Sequence, residues 1–171
     1  MLGKYYYLVA SLPYLRFGGK SPVTKGSFFK ECRKWLNPGD IETVLGVDLK
    51  DPWIRPGDPA VVKEWKTFDL ELRTALAGTR KKNGLAVKSD TPWFLKDALA
   101  QKDPLSREKA IEKARWDFIS GEEYRYMFDM SRLVLYSIKV QILERLAAFE
   151  HEKGKKTFDK LCEVKDGQKK W

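Results

Sequence analysis

The apolar stretch DMSRLVLYSIKVQILERLAAF, Asp129 to Phe149, is long enough for about six helical turns. At about 100° per residue, its apolar side chains fall on two seams about 140° apart. The seams are Leu135, Ile138, Ile142, Leu146 and Phe149 on one side, and Leu133, Tyr136, Val140, Leu143 and Ala147 on the other. The remaining arc, with Ser137, Gln141, Glu144 and Arg145, predicts a solvent edge. Because each apolar seam needs a neighbour, the stretch predicts an all-α domain around a long central helix, residues 129–150.

Four Asx-Pro or Thr-Pro dipeptides mark places where further helices are expected to begin. They are Asn37-Pro38, Asp58-Pro59, Thr91-Pro92 and Asp103-Pro104. Asn, Asp and Thr cap helix N-termini, and proline suits the first helical position. Together with the helix-period segments between them, these signals predict about seven to eight helices. We expect them to form a single helical domain, residues 1–165, followed by a frayed basic tail, residues 166–171.

The N-terminal segment YYYLVASLPYL can be assigned by the spacing of its apolar residues. Tyr5, Leu8, Val9 and Leu12 lie three or four positions apart, which predicts one short amphipathic helix ended by Pro13. A strand is the alternative, because the aromatic and β-branched residues favour extended structure locally. The chain contains no second convincing strand that could pair with it, so helix is the preferred interpretation.

The connecting segments are predicted from their glycine and proline residues. Residues 47–57 predict a loop that is packed by Trp53. The segment TRKKNG, residues 79–84, predicts an exposed basic loop. Gly121 predicts a helix break before a helical turn over residues 122–128, and residues 157–163 predict a last amphipathic helix.

The location of the protein is predicted from what its sequence contains. No apolar run reaches the roughly 18 residues that a membrane-spanning helix needs. Two cysteines are too few for the disulfide framework of a small secreted domain, so reduced thiols are expected. These features favour a cytoplasmic protein, with a peripheral position at the inner membrane as an option.

Residues that could carry catalysis or bind a cofactor are sparse. The one histidine, His151, lies between two glutamates, and adjacent helical residues point in different directions, so the three cannot converge on a metal. Cys32 and Cys162 have no second cysteine or histidine at ligand spacing. Gly19-Lys20-Ser21 resembles the end of a phosphate-binding loop but lacks the earlier glycine and the following helix. We therefore expect no metal, no cofactor and no enzymatic activity.

The net charge of +9 is distributed in patches and provides the candidate partner-binding residues. Arg80, Lys81 and Lys82 follow a long predicted helix, where a loop would display them together, either to a partner or only to solvent. Lys139 falls between the two seams of the central helix and is predicted to be partly buried. Its ammonium could reach solvent at the end of an apolar stem, or pair with a carboxylate from a neighbouring helix or a partner.

Several segments of the chain resemble an uncharacterised bacterial family encoded beside the genes of V-type (A-type) ATPases. They are KYYYLVASLP, EWKTFDLELRTALAGTR, RWDFI and FDMSRLVLYSIKVQILERLAAFEHEKGKKTFDKL. That family is similar to the ATPase's C-subunit, an all-helical funnel that joins the membrane rotor ring to the central stalk. The resemblance implies a fold like that of the funnel, and a non-catalytic subunit or assembly factor whose partners are stalk or rotor subunits. The alternative is a basic nucleic-acid-binding helical protein, based on the charge alone.

Overall fold

The computed structural model describes residues 3–81 and 92–149. These residues form seven α-helices and one 3₁₀ helix, and no strand occurs among them. The α-helices are α1 (Gly3–Ser11), α2 (Lys25–Trp35), α3 (Pro38–Leu45), α4 (Ala60–Lys81), α5 (Trp93–Ala100), α6 (Pro104–Glu122) and α7 (Met130–Ala148), and the 3₁₀ helix is Glu123–Arg125. The predicted all-α class is confirmed, and the N-terminal segment is a helix rather than a strand.

Helix α7 is the centre of the core. It contacts α1, α2, α3, α4 and α6. Its residues from Leu133 to Leu143 are all buried, the polar ones included. Buried apolar residues from all seven helices and from the loops between them form one cluster around it. The central position predicted for this helix is therefore confirmed.

The predicted solvent edge of α7 is half wrong. Glu144 and Arg145 are exposed, whereas Ser137 and Gln141 are buried. Gln141 binds the backbone of the segment that follows α3. The Gln141 Oε1 accepts from the N–H of Leu49 at 3.2 Å, and its Nε2 donates to the carbonyl of Val47 at 2.8 Å.

Two of the four predicted dipeptide caps, Asn37 and Asp103, are confirmed in the structure. The side chains of Asn37, Asp103 and Asp129 accept hydrogen bonds from backbone N–H groups three residues later, at 2.8 to 3.0 Å. Asp58, predicted to cap α4, accepts with Oδ2 from Lys66 Nζ and from the Arg55 N–H. Thr91 lies outside the described residues, and α5 begins directly after Pro92.

Three predicted connections differ in the structure. Helix α6 continues through Gly121 to Glu122, because this glycine keeps a helical conformation and only the 3₁₀ helix follows. Helix α4 extends to Lys81, so the predicted loop over residues 79–84 starts within a helix. In the loop 47–57, Trp53 is 69% exposed; Val47 and Leu49 pack the loop onto the core instead. The predicted helix 157–163 and the tail 166–171 lie outside the described residues.

A membrane-spanning helix must be both long and apolar. Among residues 3–81 and 92–149, no helix combines the length and apolar character needed to cross a bilayer.

Candidate partner-binding groove

Two adjoining cavities lie where α1, the 3₁₀ helix and α7 meet, and together they form what we call the groove. The cavities have volumes of about 140 and 460 Å³. They share Val9, Tyr14, Glu123, Arg132 and Lys139 as lining residues. Arg132 and Lys139 are seven positions apart on α7, about two helical turns, and therefore lie on the same face. The groove is thus built from residues that are far apart in the sequence.

Lys139 lies at the floor of the groove and is 6% exposed, so its predicted burial is confirmed. Its Nζ donates to Glu123 Oε2 at 2.7 Å and lies 4.7 Å from the ring centroid of Trp116. Burial lowers the pKa of Lys139, while the hydrogen bond and charge of Glu123 oppose that change. The structure therefore shows the carboxylate-paired arrangement of the two that were predicted.

Glu123 is shared between two cations. The Arg132 guanidinium approaches Glu123 Oε2 at 3.4 Å and donates to the backbone carbonyl of the same residue at 3.2 Å. The lining of the groove therefore carries two positive charges and one negative charge. Neighbouring carboxylates have other contacts: Glu122 pairs with Arg125 at 2.6 Å, and Asp129 caps α7. The groove floor has an excess of one positive charge.

An aromatic strip runs along the outer surface of α1 to the groove; we define it as Trp35, Tyr7, Tyr6 and Phe128. Successive ring centroids are 6.1, 5.7 and 4.6 Å apart. These side chains are 42%, 61%, 49% and 38% exposed, respectively. Phe128 also lines the larger cavity, so the strip is continuous with the groove. Adjacent exposed rings of this kind are uncommon on monomers and mark interaction sites.

Three further large, exposed side chains line the groove. Tyr14, Tyr124 and Met127 line the larger cavity and are 80%, 90% and 70% exposed. Sequence reasoning missed both these residues and the strip. Tyr6 and Tyr7 do carry a sequence signal, because they lie off the apolar face that Tyr5, Leu8, Val9 and Leu12 define. Three consecutive tyrosines on a short helix must place at least one ring outside.

A second charged cluster joins α4 and α6 inside the core. Arg115 contacts Asp69 Oδ1 with Nε at 2.9 Å and with Nη2 at 2.8 Å, and Nη1 contacts Glu112 Oε1 at 2.7 Å. Asp69 and Glu112 are 2% and 0% exposed. Burial raises the pKa of Glu112, while Arg115 and Arg145 oppose that change. The three side chains at the centre of this cluster are buried, and their ion pairs link α4 to α6.

The other three predicted partner-binding residues stay predictions. The side chains of Arg80 and Lys81, and all of Lys82, lie outside the described residues. Cys32 is buried in α2, and burial raises the pKa of its thiol to about 12. Within the described ranges, no group of three or more His, Cys, Asp or Glu side chains could hold a metal ion.

The part of the chain that carries the groove resembles a known protein family. A family model described as a protein of unknown function (DUF2764) matches residues 94–167 of the chain. The matched range spans most of α5 and all of α6 and α7, and therefore includes Glu123, Arg132 and Lys139. No curated protein and no solved structure matches the chain.

Proposed function

We propose that this chain is a non-catalytic helical protein that binds another protein through the aromatic strip and the adjoining groove. The observation that supports this function is the exposed run of four rings that leads into a lined cavity. Tyrosine and tryptophan are enriched among the residues that dominate binding energy, since they supply large, rigid contact area. A strip of this kind suits the centre of a protein interface.

The strip could supply a substantial part of an interface's binding energy. If each ring buried a further 100 Å² or so, the transfer free energy would be about 2.5 kcal/mol per ring. Four rings would then contribute about 10 kcal/mol before the costs of association and side-chain ordering are subtracted. A micromolar Kd corresponds to a net binding free energy of about 8 kcal/mol. Because the association costs exceed the about 2 kcal/mol that remains, groups around the strip must contribute as well.

The partner that we propose is a stalk or rotor subunit of a V-type ATPase. Support for this partner comes from the resemblance described above, because KYYYLVASLP contains Tyr6 and Tyr7 and the last resembling segment contains Lys139. The protein would act as a permanent subunit or as an assembly factor. It would be cytoplasmic and peripheral at the inner membrane.

The test is recovery of the tagged protein from detergent-solubilised membranes of its native cells, at low and at moderate salt. We expect ATPase stalk or rotor proteins to co-purify with the wild type and to be lost from the Tyr6→Ser/Tyr7→Ser variant. The matched control is Trp93→Ser on α5, because Trp93 is 67% exposed and lies outside the strip. If no component of the ATPase co-purifies with the wild type at either salt, this partner is wrong.

The alternative function, nucleic-acid binding, is favoured by the net charge of +9. Binding through phosphate contacts weakens steeply as salt rises, with a linear dependence of log affinity on log salt. Measurement of binding to double-stranded DNA and to single-stranded RNA over a salt series distinguishes the two functions. Tight binding with a steep slope, together with no loss in the Tyr6→Ser/Tyr7→Ser variant, would favour the alternative.

A further inference from the structure

We infer that the groove binds an acidic segment of the partner, with one Asp or Glu side chain of that segment pairing with Arg132. The apolar side chain next to this carboxylate would lie against Met127 and Phe128. The inference rests on the proposed function, because it assigns the chemistry of the partner segment. It follows from the excess positive charge of the described groove lining, from the Arg132 donors that no contact with the described residues uses, and from the apolar wall beside them.

Lys139 and Arg132 differ in how closely they contact Glu123. Lys139 contacts Glu123 Oε2 at 2.7 Å, and the two side chains are only 7% and 15% exposed. Arg132 reaches the same oxygen only at 3.4 Å, and its side chain is 30% exposed. Lys139 therefore makes the closer of the two contacts with Glu123. Arg132 is therefore the cation that an incoming group can engage.

The guanidinium of Arg132 has more donors than its contacts with the described residues use. It carries five N–H groups in a planar fork, and a carboxylate can accept two of them side by side. One Arg132 nitrogen, Nη1, makes both contacts with Glu123. An Asp or Glu side chain that entered the larger cavity would meet this fork and would neutralise the excess charge of the groove floor.

The walls of the larger cavity suit an apolar side chain next to that carboxylate. Met127 and Phe128 line the cavity and are 70% and 38% exposed. Methionine adapts its shape to the group that it contacts, and an aromatic ring offers a flat apolar surface. Covering them would also exclude water from Arg132 and strengthen its ion pair.

An acidic peptide fits these observations better than a nucleic acid does. The groove floor offers an excess of one positive charge, and Glu123 lies within reach of the same two cations. A phosphodiester chain would bring several negative charges close to Glu123, which would repel them. A single carboxylate matches the single excess charge.

The probes for the test are N-acetyl-Glu-Leu-Phe amide and N-acetyl-Gln-Leu-Phe amide, which differ only in the side-chain charge. Each is titrated into isotope-labelled full-length protein, and NMR follows the Met127 methyl group and the Arg132 Nε–H. We expect the Glu peptide to bind at least about tenfold more tightly and to shift both signals. A third probe, N-acetyl-Gln-Leu-Phe with a free C-terminal carboxylate, tests the source of the carboxylate.

Variants of Arg132 decide whether the selectivity comes from this groove. Arg132→Gln should bind the Glu and Gln peptides equally, and Arg132→Lys should retain part of the difference because it keeps the charge but loses the fork. Arg16→Gln is the matched control, because Arg16 is exposed and does not line the groove. Circular dichroism of each variant verifies that the fold is intact.

Several results would overturn the inference. Equal affinity of the wild type for the Glu and Gln peptides would do so, as would selectivity that survives in Arg132→Gln. Tighter binding of the free-carboxylate peptide would overturn the side-chain assignment, and self-association lost in Arg132→Gln would assign the groove to a second copy. The outcome is separable from the proposed function: peptide selectivity without ATPase co-purification refutes only the proposed partner. Co-purification with no peptide selectivity refutes only the pairing of an acidic side chain with Arg132.

Discussion

Replacement of Arg115 by methionine tests the buried charged cluster most directly. In the wild type, this guanidinium contacts Asp69 and Glu112, which are 2% and 0% exposed. Methionine fills a similar volume but provides no donor. The change therefore leaves two buried carboxylates without their shared partner, and one oxygen of Glu112 already lacks a hydrogen-bond partner among the described residues.

The loss of unfolding free energy in Arg115→Met depends on which contacts Asp69 and Glu112 keep. Breaking a buried ion pair costs about 3–5 kcal/mol, because a charge remains buried without compensation. Here Asp69 keeps Arg73 at 2.7 Å, and Glu112 keeps Arg145 at 2.9 Å. We therefore expect the lower end, a loss of about 3 kcal/mol, which corresponds to a fall in Tm of about 6–12 °C.

The destabilisation caused by Arg115→Met should increase as pH rises. Burial raises the pKa of Glu112 above its ordinary value of 4.5, so the folded state binds the proton more tightly than the unfolded state. Ionisation of Glu112 therefore lowers the free energy of unfolding as pH rises above about 4.5, and protonation restores it as pH falls. Removal of Arg115 withdraws a charge that opposes the raised pKa. We expect the destabilisation of Arg115→Met to be smaller near about pH 5 than near about pH 8.

Urea unfolding followed by far-UV circular dichroism at both pH values measures the loss. The matched control is Lys113→Met on the same helix, because its ion pair with Asp117 is about half exposed, at 49% and 44%. Such surface pairs contribute little, so the control should unfold near the wild-type midpoint. An Arg115→Met variant as stable as the wild type at about pH 8 would refute the reasoning.

Three further predictions concern the core, a helix cap and a thiol. Gln141→Leu should lose about 1–3 kcal/mol of unfolding free energy, measured in urea, because the Leu49 N–H and the Val47 carbonyl lose their partner. An unchanged midpoint would contradict this. Asn37→Ala should cost about 1 kcal/mol by the same measurement, and Asn37→Gly only a few tenths; equal losses would argue against the cap. Cys32 should resist alkylation until the protein unfolds, since its thiol is buried with a pKa of about 12. Mass spectrometry of the Cys32 peptide measures this, and labelling under native conditions would contradict it.

The elements that sequence reasoning predicted best depend on neighbouring residues alone. A cap such as Asn37 or Asp103 needs only the N–H three positions later, so the dipeptide is sufficient to mark the helix start. The central position of α7 was predictable for a related reason, since two apolar seams require two neighbours. The burial of Gln141 was not predictable, because this side chain binds a loop about 90 residues earlier in the sequence.

The groove was only partly predictable. The helical wheel placed Lys139 between two apolar seams and so predicted its burial. Its partner could not be identified, because Glu123 reaches Lys139 only after the 3₁₀ helix turns the chain between α6 and α7. The aromatic strip joins residues of α1 and α2 with Phe128, and no local pattern links positions so far apart in sequence.

The central position of α7 has a consequence for how the protein is made. The ribosome delivers α1, α2, α3, α4 and α6 before it delivers the helix that all five contact. Core residues of these helices, such as Leu8, Phe28 and Val44, therefore stay without the central helix until the chain has been synthesised to about Leu143. During that interval, the nascent chain displays apolar surface that chaperones bind. Packing around α7 therefore waits for the synthesis of this helix, and a premature stop before α7 would yield a fragment without the helix at the centre of the core.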